Sequence, residues 1–362
     1  MHWESGPADA AIDVEGVRVG HHHRIDPRWA TGASAVLVPD GATTAVDVRG
    51  GGPGTRETDA LDPAHLVQQA HAVVLTGGSA YGLAAADGAT RWLGERGRGF
   101  AVGERAGEVV PIVPAAVLFD LPMGDWGNWP DADFGHRACE AADAGERSGG
   151  GASGTASGTA QGNVGAGAGL VAGYVRGGIG TASALLPGGG TVGALVAVNA
   201  VGSVIDPEDG LPRGVDRGRE ADFGLRAPAA DEVAAARGRA AQRPGRNGPV
   251  AGPLNSTVGV VTTDLGATKA EAQRLSVAAQ DGLARAVRPA HGMSDGDTVF
   301  TIATGARGGL PAAGGPAWTR ALDQAAAAAA DVVQRSIVHA LLAAETLGDV
   351  TSYTDLYPSA RE

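Results

Sequence analysis

The sequence predicts a layered α/β protein, and three observations lead there. Glycine is very abundant, at 59 of 362 residues, while aromatic residues make up 4% and apolar residues still reach 43%. Small side chains let strands and helices approach closely, so tight layers are expected rather than an aromatic core. Runs rich in β-branched residues at 192–205, 256–263 and 299–304 read as strands. Two later segments carry apolar stripes at helical spacing: Leu275, Ala278, Ala279, Gly282, Leu283, Ala286 and Val287, then Leu322, Ala326, Ala329, Val333, Ile337, Ala340, Leu341 and Ala344.

Taken in order, residues 1–12 read as a loosely held terminus. A short strand at 17–20 runs into His21, His22 and His23, expected in a surface loop. Neighbours on a strand face opposite ways, so the three imidazoles cannot converge on one metal. Residues 34–38 and 45–48 read as strands either side of a Pro39-Asp40-Gly41 turn, and 62–69 as a short helix opened by Asp62 and Pro63. The strand at 72–75 leads through Thr76-Gly77-Gly78-Ser79 into a helix ending near Leu93. This arrangement could cradle an anion, but the P-loop pattern is absent and a tight turn is the simpler reading. Pro111 and Pro114 mark edge strands within 109–121, and 133–145 suits a helix.

Residues 147–169 are Gly/Ser/Thr/Ala-rich. Their G-A-G-A-G run lacks the strand before and helix after that a dinucleotide loop requires. Within the strand at 192–205 the one amide is Asn199. It is either a structural partner of a loop or a donor aimed into a site. Residues 206–255 are charged, Pro/Gly-rich and mostly without period, with helical character only at 230–241; such a loop makes sense if it ends at a processed terminus. Beyond Ser256 the pattern sharpens: a strand, a Thr268/Glu271 capping box and its helix, an acidic D-G-D turn, another strand and a long helix from about Ala317 to Thr346.

A net charge of −12 disfavours binding to nucleic-acid phosphates. The single cysteine, Cys139, excludes an intramolecular disulfide and suits a buried position. No signal-peptide pattern opens the chain and no apolar run is read as a membrane span, so a soluble, cytoplasmic protein with no membrane partner is expected.

The chemistry-bearing stretch is 252–264, G-P-L-N-S-T-V-G-V-V-T-T-D. The chain lacks H-E-x-x-H and C-x-x-C. A hydroxyl residue at the head of a core strand is either an ordinary loop-to-strand junction or a self-cleavage site. In the second case Ser256 becomes a new N-terminus whose α-amine, with an ordinary pKa near 8, serves as base. Asp295 and Asp297 read as a turn or as Ca²⁺ ligands.

Seven stretches together resemble the self-processing N-terminal-nucleophile aminopeptidases and amidases, a family that includes L-aminopeptidase/D-esterases, β-aminopeptidases and nylon-oligomer hydrolases. They are V-D-V-R-G-G-x-P-G-T-R-E-T (46–58), L-T-G-G-S-A-Y-G-L (75–83), G-N-V-G-A-G-A-G (162–169), G-G-I-G-T-A-S (177–183), V-N-A-V-G (198–202), N-S-T-V-G-V-V-T-T-D (255–264) and D-G-D-T-V-F (295–300), in family order over nearly the whole chain.

The resemblance implies a single αββα sandwich domain over 1–362. It implies scission between Asn255 and Ser256 into an α part (1–255) and a β part (256–362), and assembly into a homo-oligomer of αβ units. It places the nucleophile at Ser256, with Thr257 the alternative that some members use; Ser256 is preferred because the strand turns Thr257 to the other face. It implies an oxyanion or amine partner in Asn199 and orienting acids in Asp295 and Asp297. Phe119 departs from a tyrosine, and Tyr174 from a lysine with Arg176 close by; Tyr174 and Phe119 are candidates for the oxyanion or substrate pocket.

The expected activity is hydrolysis of small aminoacyl amides, peptides or esters, or of longer ω-amino amides, with no metal or organic cofactor. The rivals are an uncut, non-catalytic relative that binds small molecules and a Ca²⁺-binding structural protein.

Overall fold

The computed structural model describes residues 3–145, 153–242 and 254–361. The chain opens with β1 (Arg18–Asp26), β2 (Trp29–Val48), β3 (Thr55–Arg56), β4 (Gln69–Thr76) and α1 (Ala84–Gly94). A small hairpin, β5 (Phe100–Ala101) and β6 (Val109–Val110), precedes β7 (Ala115–Val117), α2 (Ala132–Ala144) and β8 (Ser153–Ser157). Next come the short pair β9 (Val171–Ala172) and β10 (Val175–Arg176), then β11 (Gly178–Leu185), β12 (Thr191–Asn199) and α3 (Ala230–Gln242). The last stretch holds β13 (Ser256–Thr263), α4 (Lys269–Ala286), β14 (Thr298–Ala303), α5 (Pro316–Ala343) and α6 (Tyr353–Leu356).

The architecture is the αββα sandwich. Its hinge is β2, one continuous strand where two strands and a turn were expected. Its first half pairs with β1 and β4, and its second half pairs with β14. The register slips between Leu37 and Ala42, around Gly41 at φ +83°, so Pro39-Asp40-Gly41 is a bulge inside a strand rather than a hairpin turn. Beyond β2 the order β14-β13-β12-β11 builds one layer, while β4, β7, β3, β1 and β8 build the other.

Alternation along the strands separates three cores. Val36, Val73 and Leu75 meet Leu195, Val258, Val260, Phe300 and Ile302 between the sheets. Ala35, Leu37 and Val74 face α1 and α2. Val196, Val198, Val261 and Val299 face α4 and α5. The central strands β12, β13 and β14 are buried along their whole length because both of their faces are covered.

Local signals set the ends. Thr268 and Glu271 close the capping box of α4 in both directions, and the Asp131 carboxylate caps α2. α5 has the length and hydropathy of a membrane span, contrary to expectation, yet 67% of its most apolar window is buried among its neighbours. Its alanines let it lie close on β11 and β12 as the core helix of the outer layer.

Other expectations are corrected. His21 and His23 are buried on one face of β1, and His22 meets Phe134 edge-on across the other. Burial lowers His21 to about 3 and His22 to about 4. The segment 62–69 is not helical; only a turn of 3-10 helix at Asp59–Leu61 forms, and β4 begins at Gln69. From Trp3 onward the start of the chain is not loose: Trp3 is buried with Nε1 on Asp331, and the Ala11 amide donates to Thr181 Oγ1 at 2.8 Å. Helix α3 forms as read, whereas parts of the two Gly-rich expectations, 146–152 and 243–253, lie outside the described residues. Cys139 is fully buried.

Candidate active site

Pairing brings four chain ends to one end of the inner sheet. β12 runs antiparallel to β13, so its last residue, Asn199, sits beside the first residue of β13, Ser256. β14 runs parallel to β13, so the D-G-D turn before Thr298 arrives at the same end. β2 is antiparallel to β14, with Val48 opposite Thr298, and delivers the Gly50-Gly51-Gly52 turn there too.

Ser256 is almost closed off, at 5% exposure. Its Oγ donates to the carbonyl oxygen of Asn255 at 2.6 Å. The same oxygen accepts the Gly296 N–H at 2.9 Å. Asn255 is itself pinned: its N–H donates to Ser294 O at 3.1 Å and its Nδ2 to Val171 O and Ala200 O, each at 3.0 Å. Gly296 leaves room for the hydroxyl, because a Cβ there would lie 2.5 Å from Ser256 Oγ and 3.0 Å from Gly52 O and would force the hydroxyl to shift. The glycine turn seals the lid, with Gly51 N on Gly292 O at 3.0 Å and Gly52 N on Asp295 O at 2.8 Å. Thr257 faces away; its Oγ1 is buried without a hydrogen-bond partner.

Asn199 is buried with both ends of its amide engaged: Oδ1 accepts from Val171 N at 2.9 Å and Nδ2 donates to Phe119 O at 3.1 Å. Asp295 accepts from Val201 N at 3.1 Å and Gly292 N at 3.2 Å. Burial, assisted by the charge of Asp297, raises its pKa. Asp297 accepts from Thr257 N on Oδ1 at 2.9 Å, and from both His291 N at 3.0 Å and His291 Nδ1 at 2.9 Å on Oδ2. With these N–H donors on both carboxylates, the pair acts as a backbone anchor, which disfavours reading the turn as a Ca²⁺ cage.

His291 was missed in the sequence. It lies six residues before Asp297 in an unremarkable loop, and its left-handed backbone, φ +59°, is visible only in three dimensions. The Gly296 N–H was missed for the same reason, since a backbone donor leaves no mark on residue type.

Of the pocket candidates, Phe119 contributes its carbonyl, through Asn199. Tyr174 points elsewhere: its hydroxyl meets that of Tyr357 at 3.0 Å, and burial raises its pKa. Arg176 is fully buried and donates to the carbonyls of Leu170 at 2.9 Å and Ala168 at 2.7 Å. The Gly77-Gly78 turn does hold an anion, but an internal one. Asp120 accepts from Gly78 N and Thr31 Oγ1, each at 2.6 Å, and burial raises it to about 6.

The arrangement suits attack by a hydroxyl on an adjacent carbonyl whose developing charge an N–H already faces. The model of the family described as Peptidase family S58 matches residues 9–354. An uncharacterized aminopeptidase of Mycobacterium tuberculosis is 48% identical over 97% of this chain and 99% of its own length. A 6-aminohexanoate-oligomer endohydrolase of a Kocuria species is 31% identical over 83% of this chain and 76% of its own. Among solved structures, the L-aminopeptidase D-Ala-esterase/amidase of Ochrobactrum anthropi, described as a variant of the N-terminal-nucleophile hydrolase fold, superposes with a TM-score of 0.68 at 22% identity, over 97% of this chain and 90% of its own.

Proposed function

The chain belongs to peptidase family S58 and is a hydrolase of peptide or amide bonds, and from that premise we propose that it cuts itself before Ser256 and then uses Ser256 as an N-terminal nucleophile on small aminoacyl amides, peptides or esters. The observation that carries this is the Ser256 hydroxyl resting on the Asn255 carbonyl at 2.6 Å, with the Gly296 N–H on the same oxygen.

In the first reaction Oγ attacks the Asn255 carbonyl carbon and the oxyanion forms against the Gly296 N–H. The Oγ proton passes to the Ser256 nitrogen, the C–N bond breaks, and an ester links Asn255 to Oγ. Water hydrolyses that ester, leaving Asn255 with a free carboxylate and Ser256 with a free amine. In later turnovers the amine takes the Oγ proton as Oγ attacks a substrate carbonyl, then gives it to the departing amine; water hydrolyses the acyl ester left on Oγ, releasing the acid and restoring the hydroxyl. Asn199, Asp295 and Asp297 keep the ends of β12, β13 and β14 in register around this centre. The mechanism uses no metal or organic cofactor.

Intact mass of fresh and aged protein should show two pieces, 1–255 and 256–362. Ser256→Ala should remain one chain, with amide hydrolysis down on the order of 10⁴-fold; Thr257→Ala should still split. A fully active unbroken chain overturns the reading and would favour an intact binding relative. The likeness to the oligomer endohydrolase supports a second substrate class, ω-amino amides, which a 6-aminohexanoate dimer amide would report. We place the protein in the cytoplasm as a homo-oligomer of cut units, to be checked by fractionation and by light scattering.

A further inference from the structure

We propose that the cradle around Asn255 is the acyl subsite of the mature enzyme, and that it selects asparaginyl amides and peptides. This rests on Ser256 being the nucleophile. When Oγ attacks Asn255, the resulting ester carries an asparaginyl group on Oγ beside a free amine. Its connectivity is that of the acyl-enzyme any substrate forms on the same oxygen. The uncut chain therefore displays its first substrate in place.

The contacts of Asn255 define what the subsite recognises. Its backbone N–H, standing where a substrate's α-amine would stand, donates to Ser294 O at 3.1 Å. Its carbonyl accepts from Gly296 N at 2.9 Å. Its Nδ2 spends both protons on the carbonyls of Val171 and Ala200, at 3.0 Å each. Those two residues are 4% and 1% exposed, so their oxygens take donors from inside the protein; the Ala200 oxygen already accepts Gly173 N at 2.9 Å and has its second lone pair left for Nδ2. A carboxamide of asparagine length satisfies both. Alanine reaches neither. A carboxylate of the same length would set its negative oxygens against two carbonyl oxygens, the least favourable of the three. Hydrolysis of the ester frees Asn255 as a chain terminus and opens the cradle to the next acyl group.

The test uses two series that share one subsite. On the full chain, rates of splitting are followed by intact mass for wild type, Asn255→Ala and Asn255→Asp. On the cut wild-type enzyme, kcat/KM is measured for L-asparaginyl, L-alanyl and L-aspartyl p-nitroanilides. Both series should rank Asn above Ala above Asp, with Asn ahead of Ala by about tenfold or more, the loss of one to two hydrogen bonds. An alanyl anilide hydrolysed as fast as the asparaginyl one overturns the proposal, as does a different order in the two series. The anilide series needs no variant to fold. If wild type neither splits nor hydrolyses any anilide, the assignment of Ser256 itself has failed, which is a separate result.

Discussion

The cavity beside α5 and the corner around Ser256 are different places, and they are built differently. A cavity of about 850 Å³ lies against α5 and is lined by Trp3, Asp9, Asp216, Arg285, Asp331 and Arg335 among others. Its charges are answered by other side chains: Arg335 by Asp9 at 2.5 Å, Arg285 by Asp331 at 2.8 Å and Gln334 by Asp216 at 3.2 Å. At Ser256 there is almost no open space, and the polar side chains are answered by backbone. The side chains of Asn199, Asn255 and Asp295 bond only main-chain groups in the contacts described above, and that of Asp297 adds one imidazole. Side-chain pairs at a wet surface can rearrange, whereas backbone groups hold a carbonyl in place. The comparison teaches that a closed site is found by what fills it rather than by an empty volume.

The sharpest break of this contrast is Gly296→Ala. A methyl group 2.5 Å from Ser256 Oγ must displace the hydroxyl or the turn, so splitting should slow by at least about a hundredfold, a misalignment effect. Unslowed splitting would show that the closed geometry is irrelevant.

His291→Ala comes next. Removing the ring leaves Asp297 Oδ2 with one donor where it had two, so splitting should slow by about tenfold. His291→Gln should recover part of that if the ring's role is to donate.

A third test uses the pH dependence of folding. Asp120 is raised to about 6 from an unfolded value near 4, so the fold favours its protonated form. Its stabilising contribution is present below about pH 4 and is lost as pH rises through about 6, on the order of 2 kcal/mol. His21 and His22, lowered by burial, act in the opposite sense and weaken the fold as pH falls below about 6.5. The Asp120 share is therefore read as the difference between wild type and Asp120→Asn in urea unfolding at pH 4 and pH 7. A difference that does not change with pH would refute it.

The smallest effect belongs to the cleft. Arg335→Ala should leave splitting and amide hydrolysis within about twofold and lower stability by no more than about 1 kcal/mol, because these pairs are partly solvated. A large loss of activity there would move the chemistry to the cavity.

Where one residue's character dominates its surroundings, the structure was legible in sequence. Ser256–Thr263, the Thr268/Glu271 box and the stripe of α5 all follow from local pattern. Where a neighbour decided, the reading slipped. Pro39-Asp40-Gly41 looks like a turn, but β14 and β4 pair on either side of it and keep β2 continuous. Three histidines look like surface until Ser34 and Phe134 cover them. The start of the chain looks loose in sequence, yet Asp331 holds Trp3 and Thr181 holds Ala11.

For the site, the chain's own chemistry determined the cast. It offered one hydroxyl at the head of a strand after an asparagine, one amide inside an apolar run and two carboxylates around a glycine, and these follow from residue type and period. Only the fold decided what each group touches. It seated Asn199 beside Ser256, turned Tyr174 toward Tyr357, set His291 on Asp297 and aimed the Gly296 N–H at the Asn255 carbonyl oxygen. The reason is that periodicity reports which way a side chain points along its own element, while pairing between strands distant in sequence determines which partner it meets there.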